Sequence, residues 1–159
     1  MRLLLVAIGR LKDGPERALF ERYWTRLAAM SRPLGITAIG FKELAESPAR
    51  DATTRKADEG RRLIETAAGL VTIVLDERGK AMSSEAFASR LQSMAGSGGS
   101  GLAILVGGPD GHSPEVLAGA RLKLSFGAMT FPHGLARILI AEQLYRAATI
   151  AAGHPYHRS

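Results

Sequence analysis

Five short apolar runs, separated by longer stretches of helical periodicity, constrain this chain more than any other feature. The runs are Leu3 to Ile8, Ile36 to Phe41, Val71 to Asp76, Leu102 to Val106 and Leu124 to Thr130. Strands that alternate with helices form a mostly parallel sheet flanked by helices, which is the α/β class. Between the first two runs, Leu19, Tyr23, Leu27 and Met30 recur at helical spacing, and Pro15 suits a first helical turn. The chain has 159 residues, of which 46% are apolar, enough for one core and one domain spanning 1–159. The run Gly96 to Gly101 is a flexible connection inside that domain, since a boundary there would leave too few strands on each side.

Composition narrows the function classes. Lysine and arginine outnumber acidic residues 21 to 15, a net charge of +6 that favours polyanionic partners. There is no cysteine, which excludes disulfides and thiolate zinc sites. The four histidines, His112, His133, His154 and His157, show no metal-type spacing, so no metal site is expected. Charges at Arg10, Lys12 and Asp13 follow the first apolar run before a signal sequence develops. Segment 134–152 carries Arg137, Glu142 and Arg146, charges that are expensive at a bilayer centre. A cytoplasmic protein without a membrane span is the expectation.

Two loops are candidate ligand sites. Gly107-Gly108-Pro109-Asp110-Gly111 follows an apolar strand and precedes Ser113-Pro114-Glu115, where Ser113 suits the N-cap and Pro114 the first helical position. Ligands of open α/β sheets sit beyond the carboxyl ends of strands, where glycine lets the backbone approach. An ordinary tight turn carries the same residues. The loop has neither a Walker lysine nor Gly-x-Gly-x-x-Gly spacing. The second candidate is Gly127-Ala128-Met129-Thr130-Phe131-Pro132-His133-Gly134, which feeds a C-terminal helix. Thr130 and free backbone groups suit an adenine edge, while Met129 and Phe131 suit either its faces or the core.

Apolar residues occupy most of the circumference of that last helix, among them Leu135, Ile138, Leu139, Ile140, Leu144, Tyr145 and Ile150. One sheet face cannot cover them all, so a homodimer interface is expected, with a deep position inside the domain as the alternative. The mixed-charge stretch from Arg50 to Ala68 predicts a surface helix, either solvated or facing phosphate. The chain ends in His154-Pro155-Tyr156-His157-Arg158-Ser159, residue types suited to base stacking, proton exchange and phosphate contact.

Taken together, Val74-Leu75-Asp76, Leu105-Val106-Gly107-Gly108-Pro109-Asp110-Gly111, Met129-Thr130-Phe131-Pro132-His133 and His154-Pro155-Tyr156-His157-Arg158 resemble the ribosomal RNA large subunit methyltransferase H family of the SPOUT superfamily. The Glu142 to Ala147 segment is similar as well, and the match spans essentially the whole chain. The resemblance implies a SPOUT-type fold with a C-terminal trefoil knot, a homodimer and bound S-adenosylmethionine. The implied cofactor residues are Leu75, Gly107, Gly108, Gly127, Ala128, Met129, Thr130, Phe131 and Pro132. The implied reaction is methylation at N3 of a pseudouridine in 23S ribosomal RNA, in the large subunit or whole ribosome. That nitrogen must lose a proton, which makes His157 the candidate base, Arg158 or Arg137 its electrostatic support, and Tyr156 a stacking or positioning group. A non-catalytic ribosome-binding factor, or a small-molecule enzyme that holds another nucleotide at Gly107 to Gly111, is the rival expectation.

Overall fold

The computed structural model describes residues 1–158. Five parallel strands, β1 (Arg2–Ile8), β2 (Ala38–Leu44), β3 (Val71–Ala81), β4 (Gly101–Val106) and β5 (Leu122–Ser125), form one sheet in the order β2-β1-β4-β3-β5. Helices α1 (Pro15–Met30), α2 (Ala52–Thr66), α3 (Ser84–Gly96), α4 (Pro114–Gly119) and α5 (His133–Ala152) cover it. Among the described residues, no helix is long and apolar enough to cross a membrane.

Both faces of the central strands are buried, which is why β1 and β4 read as unbroken apolar runs rather than alternating ones. Side chains point alternately to the two faces. Leu3, Leu5 and Ala7 of β1, with Leu102, Ile104 and Val106 of β4, join the larger core beneath α1, α3 and α5. Leu4, Val6 and Ile8, with Ala103 and Leu105, join the smaller core beneath α2 and α4 through Leu63 and Val116. The helix starts follow from their caps: Ser83 Oγ accepts from Ala86 N at 3.1 Å, and Ser113 Oγ from Val116 N at 3.3 Å.

Two strand ends differ most from the sequence expectation. The fifth strand stops at Ser125 rather than Thr130, because the Ser125 hydroxyl accepts from Gly127 N at 3.0 Å and Gly127 takes a φ of 123°, turning the chain off the sheet. The third strand runs to Ala81 rather than Asp76, since a register shift between Leu75 and Lys80 lets it pair with β5 again. At Gly79 a Cβ would lie 2.6 Å from the Lys123 carbonyl, so the bulge requires glycine there.

α5 lies deep in the domain. α1, α3 and the sheet cover Ile138, Ile140, Ala141, Leu144 and Tyr145, leaving Leu135 43% exposed near Met129, 79% exposed in the preceding loop. The apolar circumference is therefore largely satisfied within the chain, and only a smaller patch is left for another subunit. The Arg137 side chain is fully buried on this helix. Its Nη1 donates to Glu43 Oε2 at 2.8 Å, and its Nη2 to the carbonyls of Ile8 and Gly9 at 3.2 and 3.1 Å. Glu43 also accepts from Leu11 N at 2.7 Å and Arg17 Nη1 at 3.2 Å. Truncating Arg137 would take the buried donor from two carbonyls and leave Glu43 with only Leu11 N and Arg17 as donors. Arg137→Met should cost about 3 kcal/mol of stability, as removal of one buried ion partner typically does; an unchanged urea midpoint would refute this.

Candidate active site

The carboxyl ends of β3, β4 and β5 open onto a cleft of about 640 Å³. Its walls are Leu75 to Glu77, Val106 to His112, and Phe126 to His133 apart from Ala128, with Leu124 and Ala136 behind. The volume suits a nucleoside-sized ligand. Of the expected cofactor residues, Leu75, Gly107, Gly108, Gly127, Met129, Thr130, Phe131 and Pro132 all line it; Ala128 does not, being turned outward in the same loop.

The glycine loop earns its composition from behind as much as from the ligand side. A Cβ on Gly108 would meet Ile8 Cγ2 at 3.0 Å and Glu59 Oε1 at 3.2 Å, on the face packed against the smaller core. A Cβ on Gly107 would meet His112 Cε1 at 3.2 Å. Gly111 closes the turn with its N–H on the Gly108 carbonyl at 3.0 Å, at a φ of 83°. The loop thus lies where only glycine fits, and its backbone faces the cleft.

The charge of the cleft is selective. Asp76, Glu77 and Asp110 line it with His112 and His133, and no lysine or arginine does. A polyphosphate would meet carboxylates there, whereas a sulfonium or ammonium group would be attracted. Glu77 Oε2 also accepts from Thr130 Oγ1 at 2.7 Å, tying the third wall to the first. Arg55 holds the Asp110 carboxyl below its ordinary range through a paired hydrogen bond. The His112 ring is packed with neither nitrogen in a hydrogen bond, and this desolvation pushes its pKa below 6.5.

The tail forms a second cluster. Tyr156 packs at a tilt against Tyr145 with ring centroids 4.7 Å apart, and its hydroxyl donates to Glu142 Oε1 at 2.9 Å. Burial, then Glu142, pushes that phenol up, so it remains a donor. Arg146 reaches the same carboxylate and sits 4.9 Å over the Tyr156 ring. His157 Nδ1 lies 3.2 Å from Arg146 Nη1, and its Nε2 lies 2.7 Å from Glu85 Oε1. Arginine can only donate, so in this arrangement Nδ1 accepts and Nε2–H faces the carboxylate. Arg158 is exposed. Arg137, expected beside His157, instead sits in the core with Glu43, and the guanidinium next to His157 belongs to Arg146.

Comparison with known proteins bears on this arrangement. A family model described as "Predicted SPOUT methyltransferase" matches residues 1–157. The chain belongs to the SPOUT methyltransferase family. It is 52% identical over the full length of both chains to the Ribosomal RNA large subunit methyltransferase H of Brucella anthropi, and 48% identical to that of Chelativorans sp., covering 99% of this chain and 91% of the relative. Among solved structures it is similar in fold to a probable methylase family protein from Haemophilus influenzae Rd KW20, with a TM-score of 0.51 and 14% identity over 99% of this chain and 70% of that one.

Within this SPOUT chain the cleft and the tail cluster are separate. None of Glu85, Glu142, Arg146, Tyr156 and His157 lines the cleft, although Ser84, beside Glu85, shares a smaller pocket with the cleft residues Phe126 and Gly127. Sequence reasoning gave no site role to Asp76, Glu77 and His112 as cleft residues or to Arg146, Glu142 and Glu85 as partners of the tail, although Asp76, Glu142 and Arg146 lie in segments that carry the resemblance. Because His112 is held neutral, the unfolded chain binds a proton that the folded chain excludes between pH 6.5 and the lower folded value. Stability should therefore fall on acidification below about 6.5 and recover above it. His112→Leu should flatten that part of the urea-midpoint profile, and an unaltered slope would contradict the assignment.

Proposed function

We propose that the chain is an S-adenosylmethionine-dependent methyltransferase that acts as a cytoplasmic homodimer on N3 of a pseudouridine in 23S ribosomal RNA, within the large subunit or whole ribosome. The observation that carries this reading is the strand-end cleft lined by Asp76, Glu77 and free backbone but by no lysine or arginine. That lining suits a cationic methyl donor and suits a phosphate-bearing nucleotide poorly. The names of the full-length relatives supply the nucleic-acid substrate. The trefoil knot at the C-terminal end belongs to the same reading.

Bound S-adenosylmethionine would supply an electrophilic methyl group on a sulfonium centre. Backbone at Gly107, Gly108 and Gly127 to Pro132, with Leu75, would hold the adenosine, and the Asp76 and Glu77 carboxylates would favour the cationic end. The nucleobase must present N3 in line with that methyl, and its proton must leave. His157 is the candidate acceptor. Its Nδ1 lone pair accepts from Arg146 in the isolated chain while Nε2–H faces Glu85, so Arg146 must release Nδ1 before that nitrogen can take a proton. Arg158 stands ready for phosphate and Tyr156 for positioning.

Among the described residues, none of the tail cluster lines the cleft of its own chain, which supports a dimer in which the tail of one subunit serves the cleft of its partner. Reacting atoms must approach to about 3 Å, so the tail that serves a cleft must reach into it. The exposed cations Arg78, Lys80, Arg121 and Lys123, on and beside the adjacent β3 and β5, make no ion pair among the described residues and suit an RNA backbone near the cleft.

Isothermal titration with S-adenosylmethionine separates this reading from a non-catalytic ribosome-binding factor, which needs no cofactor; absence of binding would sink it. Light scattering should give a dimer mass. Removal of Tyr156 to Ser159 should lower the melting temperature, since Tyr156 packs on Tyr145, yet leave cofactor affinity near that of the intact chain. His157→Ala should slow methyl transfer to ribosomes roughly a hundredfold, with partial recovery as pH rises and N3 ionises unaided. A wild-type single-turnover rate at neutral pH would eliminate His157 as the base.

A further inference from the structure

We infer that Arg55 of α2 is a positioning residue for the cofactor cleft, acting through Asp110 to hold the Gly107 to Gly111 loop in its binding conformation. The inference rests on the reading of that cleft as the cofactor site. Arg55 does not line the cleft, whereas Asp110 does. Arg55 Nε donates to Asp110 Oδ2 at 2.7 Å and Nη2 to Asp110 Oδ1 at 3.0 Å, the paired geometry in which a planar guanidinium fixes a carboxylate in orientation as well as distance.

The guanidinium is itself anchored. Its Nη1 donates to the carbonyls of Arg50 at 2.7 Å and Ala49 at 3.2 Å, so four of its five N–H groups point at fixed acceptors. The segment carrying those carbonyls is tied to α2 again, through Ser47 N on Glu59 Oε2 at 2.8 Å and Ser47 Oγ on Asp58 Oδ2 at 2.9 Å. Asp51 caps the helix by accepting from Thr54 N at 2.8 Å. α2 thus presents Arg55 from a rigid frame.

Apart from the Gly111–Gly108 turn hydrogen bond and the packing of Gly107 and Gly108, few groups hold the loop. Three of its five residues are glycines, and among the described residues the Arg55–Asp110 pair is its only side-chain hydrogen bond to another element. Glycine loses the most freedom on ordering, so a loop of this composition samples many conformations unless something outside it selects one. A site competent for only a fraction of the time binds more weakly by that fraction. The mixed-charge face of α2 is therefore neither merely solvated nor available to phosphate at Arg55; its cation is spent on the cleft.

The test titrates S-adenosylhomocysteine into the wild-type chain, Arg55→Ala, Asp110→Asn and the double variant, with amide hydrogen exchange of residues 107–111 measured on each without ligand. Arg55→Ala should bind about tenfold more weakly and exchange faster at the loop, as expected if the loop is competent about a tenth of the time. The double variant should be no weaker than the weaker single one, because both substitutions break one interaction. Arg55→Lys, which keeps the charge but loses the fork, should recover part of the affinity, and it carries the same test should Arg55→Ala fail to fold. Wild-type affinity and unchanged loop exchange in Arg55→Ala would overturn the inference, as would fully additive losses in the double variant. If the wild-type chain bound no ligand, the cofactor reading would fall, and the exchange data would still decide whether Arg55 orders the loop.

Discussion

The buried guanidinium of Arg137 is the interaction on which the site's architecture depends. A cation removed from water is costly, and desolvation pushes its pKa down even though Glu43 opposes the shift. The charge is retained because every partner is a structural end: the last carbonyls of β1, the carboxylate near the end of β2 and, through that carboxylate, the backbone at Leu11 and the side chain of Arg17 on α1. One side chain thus fixes α5 against two strands and a neighbouring helix. His133, one turn before Arg137, and Ala136, the residue next to it, line the cleft, so the same ion pair sets the position of that wall.

With α5 fixed, the cleft can be built almost entirely from backbone. Its three walls are strand ends that separate where pairing stops: β3 and β4 remain in register to Val74 and Leu105, after which β3 bulges outward and β4 enters the glycine loop. His112 packs its ring into this opening without a hydrogen-bond partner. The acidic side chains are tethered rather than free. Thr130 engages Glu77, and Arg55 offsets the charge of Asp110, so the negative potential of the cleft rests on Asp76 and Glu77.

What was legible in the sequence followed from local rules. Unbroken apolar runs announced strands buried on both faces, and Ser113 announced its helix by capping chemistry that needs no tertiary context. The loops around Gly108 and Thr130 were legible as candidates because glycine and proline mark departures from a sheet. The rest depended on distant pairings. Nothing near Arg137 signals that Glu43, 94 positions away in sequence, will claim it, and nothing in the mixed-charge stretch distinguishes Arg55 from its solvated neighbours until Asp110 is brought beside it. Gly108 shows a subtler failure. A glycine in a ligand loop suggests space for the ligand, yet its missing side chain makes room for Ile8 and Glu59 behind it.

The tail carries the remaining tension between structure and chemistry. Its aromatic and imidazole groups are docked as securely as many core residues, Tyr156 on Tyr145 and His157 between Arg146 and Glu85, so this chain end is not a loose strand awaiting substrate. Docking fixes the direction in which the groups project. It also withdraws the imidazole lone pair from solvent, because Arg146 donates to Nδ1. A base stored in this way is protected until an anionic substrate competes for the guanidinium. An RNA phosphate is such a competitor, since a guanidinium binds phosphate through strong charge-assisted hydrogen bonds. On the proposed reading, RNA arrival and release of the base are then one event, and the tail stays ordered while its chemistry waits.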